Sequence, residues 1–184
     1  LLGAELELAS VARRSHRLRD ALNRMPPAGR APERDASPIQ SQPYSYVLID
    51  CPPSLNLLTI NAMTAADAIL VPLQCEFFAL EGLSQLLRTV ERVRSSLNPK
   101  LEIQGIVLTM FDKRNNLALQ VVEDVRSHLG DKVYQTVIPR NVRVSEAPSY
   151  GKPAILYDLQ CAGSQAYLQL ASEVIRRERQ LAAA

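Results

Sequence analysis

The hydrophobic positions of this chain change character at residue 44. Beyond it, short apolar runs alternate with stretches whose apolar residues recur at helical spacing. Val47–Asp50 predicts a buried strand, Leu55–Ala66 a helix, and Ala68–Pro72 a second strand ended by Pro72. Leu80, Leu83, Leu87, Val90 and Val93 mark a long helix, and Ile103–Met110 reads as a third strand. Val121, Val122, Val125 and Leu129 mark another helix before a fourth strand at Lys132–Ile138. Ala166, Tyr167, Leu170, Ala171, Val174 and Ile175 form the most periodic helix of all. Continuous apolar strands alternating with helices predict an α/β fold, a doubly wound, mostly parallel sheet with helices on both faces.

Before residue 44 the pattern is weaker. Residues 1–25 predict a polar helix after a short lead-in, with Val11, Leu18 and Leu22 on one face and Arg13, Arg14, Arg17 and Arg19 around the others. Residues 25–43 are rich in Pro, Ala and Ser and lack periodicity, which predicts a surface loop. The expected organisation is a helical lead-in at 1–24, a Pro-rich loop at 25–43, and the main portion of the same domain at 44–184.

In parallel sheets ligands sit beyond the carboxyl ends of the strands. That rim collects Asp50-Cys51-Pro52-Pro53, Pro72-Leu73-Gln74-Cys75, Met110-Phe111-Asp112-Lys113-Arg114 and Pro139-Arg140-Asn141. An apolar strand ending in Asp is a weak signal alone, because a strand-end Asp also caps helices. Followed by Cys-Pro-Pro-Ser, Asp50 reads better as a carboxylate that orients metal-bound water beside a γ-phosphate. P-loop hydrolases hold magnesium at such a strand end, yet the chain has no G-x-x-x-x-G-K-[ST] segment. Pro139-Arg140-Asn141 fits a purine-edge loop, with Asn as donor and acceptor and Pro against the base; from chemistry alone, a turn-forming Pro and Asn reads better. Lys113, Arg114, Arg140 and Arg143 crowd two neighbouring loops, where phosphate-backbone contact and plain solubility are balanced readings. Without interleaved aromatics, any DNA contact is expected to be salt-sensitive and largely sequence-independent.

Composition narrows this picture. With 184 residues, 47% of them hydrophobic, the chain can build one domain with a sizeable core. A net charge of +2 exerts no strong global pull on nucleic acid or membranes. Cys51, Cys75 and Cys161 lack pairing spacing, which points to a reducing, cytoplasmic setting, and Cys51 and Cys75 read as small buried hydrophobes. No apolar run has membrane-spanning length, and Arg176–Ala184 lacks the apolar face of a membrane-surface helix. The chain begins with Leu1 rather than Met and reads as part of a longer protein.

These residues resemble the ParA/Soj chromosome- and plasmid-partitioning ATPases, within the MinD/ParA deviant P-loop group. The resemblance is carried by Leu2–Leu8, Tyr46–Leu55, Asn61–Asp67, Pro72–Leu83, Leu108–Asp112 and Thr136–Pro148, nearly everything outside residues 25–43. It implies a P-loop NTPase-like fold, ATP and Mg²⁺ as cofactors, an ATP-bound homodimer, non-specific DNA binding, and hydrolysis stimulated by a ParB-type centromere-binding protein. It implies no membrane association and a cytoplasmic, nucleoid-associated setting. Asp50 matches the Walker B acid and a water-mediated magnesium site. Pro139, Arg140 and Asn141 match the adenine loop, with Met110 on the neighbouring strand end. Arg114 and Arg143 match the DNA-binding surface, and Glu76 and Glu81 lie in a block associated with the dimer and nucleotide edge. The family's Gly-rich phosphate loop and its strand belong before residue 1. The resemblance therefore implies a C-terminal portion that is inactive toward ATP alone and prone to association. A non-hydrolysing module that binds DNA or a partner, and a MinD-like ATPase, are the competing readings.

Overall fold

The computed structural model describes residues 2–24 and 44–182. The expected loop at 25–43 lies outside the described residues. Close contacts group into two compact units, one of residues 1–68 with 86–102 and the other of 69–85 with 103–184.

In the first unit, the single helix expected over 1–25 is instead two: α1 (Leu2–Ala9) and α2 (Arg17–Leu22). Between them the chain turns through Arg13, at φ 55°, and a 3-10 turn at Arg14–His16. A left-handed residue cannot continue a right-handed helix, and so the polar run breaks there. The turn is fastened to α3 (Leu57–Ala65) by Asn61, which is buried. Asn61 Nδ2 donates to Arg14 O at 2.7 Å, and Asn61 Oδ1 accepts from Leu18 N at 3.2 Å. Asn56 caps α3, accepting from Leu58 N and Thr59 N, so the helix starts two residues later than its apolar pattern begins. Asn98 closes the C-terminal end of α3 by donating to Met63 O and Ala66 O.

The second unit carries the sheet. Strands β1 (Ala68–Gln74), β2 (Glu102–Phe111) and β3 (Val133–Pro139) lie in the order β1-β2-β3, with β2 and β3 parallel. Pro72 does not end β1, which runs on to Gln74. Within this three-stranded sheet β1 is an edge strand, where the missing N–H of proline can face away from the ladder. Helices α4 (Ala79–Ser96), α5 (Asn116–Leu129) and α8 (Ala162–Ala182) fall where the periodicity places them. Two short helices precede the last of these, α6 (Val142–Glu146) and α7 (Ala154–Tyr157). Val107, Tyr134 and Ile138 pack with Ala166, Leu170 and Val174 of α8. Their neighbours Ile106, Leu108 and Val133 are equally buried. Because alternate strand residues face opposite sides, β2 is covered on both faces, whereas β1 buries Val71 and Leu73 on one face and exposes Leu70, Pro72 and Gln74 on the other.

The strand expected at Val47–Asp50 is absent. The segment makes no ladder pairing among the described residues, and Leu48 is 90% exposed. An apolar run becomes a ladder strand only when a neighbour accepts from its N–H groups and donates to its C=O groups. Cys51, expected to be buried, is exposed for the same reason, whereas Cys75 at the end of β1 is buried.

Candidate functional site

The carboxyl rim of the sheet is assembled by the main chain. Cys75 N donates to Thr109 O at 3.1 Å, and Arg140 N donates to Phe111 O at 2.9 Å. These bonds bring the ends of β1, β2 and β3 side by side and place Pro139 opposite Phe111. Across this rim Arg140 reaches Glu76 at 3.1 Å, joining the loop after β3 to the loop after β1. Glu81 stands in the first turn of α4.

Met110 occupies a strained position. Its φ is 55°, and the β2–β3 register shifts between Leu108 and Phe111. A non-glycine residue there costs roughly 1 kcal/mol or more, and such strain clusters where a side chain must be re-aimed. Composition and periodicity carry no trace of it, since Met is an ordinary strand residue.

Asn141 is the N-cap of α6, its Oδ1 accepting from Val144 N at 3.3 Å. The capping role engages the Oδ1 acceptor and not the Nδ2 donor. Gly163, in the first turn of α8, makes this close fit possible. A Cβ there would lie 2.4 Å from Val144 Cγ2 and 3.2 Å from Asn141 Cβ. Nothing in the sequence pattern singles out Gly163, because its reason is a contact made across the fold.

The arginines of the rim are paired. Arg114 makes a two-pronged bond to Asp112, Nε to Oδ1 at 3.0 Å and Nη2 to Oδ2 at 2.8 Å. That guanidinium holds the Asp112 carboxyl well below the usual carboxylate range. Arg143 lies 3.1 Å from Glu146 and 3.6 Å from Asp158. Lys113 makes no ion pair among the described residues. The acidic partners were legible as residues, but their pairing was not, because Glu76 and Arg140 are 64 positions apart.

Asp50 belongs to the first unit. It is exposed and makes no ion pair among the described residues. The turn that follows it is tied to α3 by Thr59, whose Oγ1 donates to Ser54 O at 2.6 Å. Among the described residues no group of three His, Cys, Asp or Glu side chains could hold a metal, and no helix is long and apolar enough to cross a membrane.

A family profile described as an AAA domain matches residues 1–103. The chain is 69% identical over 179 residues to the chromosome partitioning protein ParA of Caulobacter vibrioides (strain NA1000 / CB15N), covering 97% of this chain and 62% of that protein. It is 53% identical over 174 residues to the sporulation initiation inhibitor protein Soj of Bacillus subtilis (strain 168), covering 95% and 63% respectively. The chain thus spans less than two thirds of the length of these relatives. Its structure is similar to cobyrinic acid a,c-diamide synthase from Mycobacterium smegmatis with bound ADP and magnesium, with a TM-score of 0.71 and 31% identity over 97% of this chain and 59% of that one.

Proposed function

Because the chain belongs to the ParA/Soj family of partitioning ATPases, with their AAA-domain and P-loop NTPase fold, we propose that it is part of an ATP-dependent DNA-segregation protein. The observation that carries this reading is the rim itself, where Met110 and Pro139-Arg140-Asn141 are brought together at adjoining strand ends. Pro139 and the strained Met110 offer apolar surface to a base, and Asn141 Nδ2 offers a donor to a base nitrogen. Asp50 orients water on a magnesium ion. That ion, when bound, neutralises charge developing on the phosphates. Arg114 and Arg143, with Lys113, face the phosphate backbone of DNA without reading its sequence. The intact protein acts as an ATP-bound homodimer in the cytoplasm, on the nucleoid, and a ParB-type partner stimulates its hydrolysis. The support for dimer, DNA and partner is the family likeness and the basic loops of the rim.

The test is Asp50→Ala in the intact protein. Nucleotide should still bind, while partner-stimulated turnover falls to background. Stimulated hydrolysis at the wild-type rate would sink the assignment of Asp50.

A further inference from the structure

Two arginines of the rim, Arg114 and Arg143, face three carboxylates that the fold holds still. Asp112 Oδ1 accepts Arg114 N at 3.0 Å, which fixes the carboxylate in a tight turn at the end of β2. Its guanidinium partner is far freer, with the Arg114 side chain 84% exposed against 27% for Asp112. Asp158 repeats the arrangement. Its Oδ1 accepts Gln160 N and Cys161 N at the start of α8, and Oδ2 faces Arg143 at 3.6 Å. Glu146 Oε2 accepts the Tyr157 hydroxyl at 3.2 Å and Arg143 Nη1 at 3.1 Å. The carboxylates are thus built into the scaffold, and the arginines can swing.

A carboxylate gripping a guanidinium in two prongs has the geometry of a phosphate doing the same. We propose that Asp112, Glu146 and Asp158 are built-in phosphate surrogates that occupy Arg114 and Arg143 until a DNA phosphate displaces them, and so set the DNA affinity of the protein. The inference rests on the DNA-binding reading above. Phosphate competes on even terms because an exposed pair of this kind is weak, and displacement leaves a solvated carboxylate and not a buried one. An aspartate is ionised at physiological pH in any case, and the Arg114 guanidinium lowers the Asp112 carboxyl further, so the surrogate is charged there.

The experiment is retention of the ATP-bound intact protein on a random-sequence DNA duplex at low salt. Wild type is compared with Asp112→Asn, Arg114→Ala and the double variant. Asparagine keeps the oxygen that accepts Arg114 N–H, so the turn survives while the charge goes. Asp112→Asn should tighten binding about two- to fivefold, the span of one exposed ion pair. Arg114→Ala should weaken binding, and the gain from Asp112→Asn should vanish in the Arg114→Ala background. A gain that persists without Arg114, or no gain at all, overturns the proposal. Glu146→Gln with and without Arg143→Ala supplies a second cycle should Asp112→Asn unfold the loop, read in the same way. Wild-type protein that does not retain DNA at any salt would instead remove the DNA-binding reading, and this inference with it.

Discussion

Glu173 of α8 accepts the main-chain N–H of Gln135 in β3 at 2.8 Å. The same carboxylate accepts Thr136 N at 2.9 Å and Arg177 Nη2 at 3.1 Å. Arg177 in turn bonds Val133 O and lies over the Tyr134 ring at 4.1 Å. Gln135 O accepts from Arg126 Nη2 at 3.0 Å. Charged side chains therefore occupy polar groups of a strand that stands at the border of the three-stranded sheet. Such occupation blocks the pairing that an open edge invites.

Removing that carboxylate should be costly. Glu173 is 5% exposed, and Glu173→Ala takes the partner from two main-chain N–H groups and part of a guanidinium. A loss of about 3 kcal/mol is expected by urea unfolding. Burial opposes the Glu173 charge, but the N–H groups of Gln135 and Thr136 and the Arg177 charge outweigh it, and the carboxyl titrates below its ordinary value. Its contribution is therefore fully present above roughly pH 4.3, the unfolded value, and is lost as pH falls through the folded value. Stability of Glu173→Ala should fall less steeply than wild type in that acid range.

Gly105 and Tyr134 make an opposed pair of predictions. A Cβ on Gly105 would sit 2.5 Å from Tyr134 Cε2, so Gly105→Ala overpacks the strand. A cost of about 1–3 kcal/mol is expected. Tyr134 Oη is buried with no hydrogen-bond partner among the described residues. Tyr134→Phe should be neutral or stabilising by up to about 1 kcal/mol in thermal unfolding.

Met110 should reverse a usual ranking. Glycine in a strand is normally worse than alanine, but at φ 55° only glycine is free of the left-handed penalty. Met110→Gly is expected to be more stable than Met110→Ala by about 0.5–1 kcal/mol. Equal stabilities in denaturant would show that the strain is not real.

Gly163→Ala tests whether the rim depends on α8. Alanine gains about 1 kcal/mol of helix propensity over glycine. The collision with Val144 should outweigh it, at about 1–3 kcal/mol. Because Val144 and Asn141 must move, nucleotide affinity of the intact protein should fall along with the melting temperature. Wild-type affinity in a destabilised Gly163→Ala variant would detach Asn141 from nucleotide binding.

At Arg143 the choice of substitution matters. Arg143→Glu would set a third carboxylate beside Glu146 and Asp158, and so mix repulsion with lost DNA contact. Arg143→Ala removes the cation alone. It should weaken DNA retention several-fold at low salt and flatten the salt dependence while sparing nucleotide binding. Unchanged retention would remove Arg143 from the DNA surface.

What the chain alone determined was whatever depends on near neighbours. The four-residue spacing of Val121, Val125 and Leu129, or of Ala166, Leu170 and Val174, specifies a helix face without reference to anything distant, and α5 and α8 form there. The apolar runs at Ile103–Met110 and Lys132–Ile138 likewise became β2 and β3. Tertiary structure decided what needs a partner far along the chain. Val47–Asp50 has the composition of a strand but no ladder beside it, Pro72 is tolerated because β1 stands at an edge, and Arg140 is claimed by Glu76. Periodicity reports which side of an element avoids water. It is silent on which distant group will satisfy a main-chain N–H or neutralise a charge, because that depends on geometry created only when the elements meet.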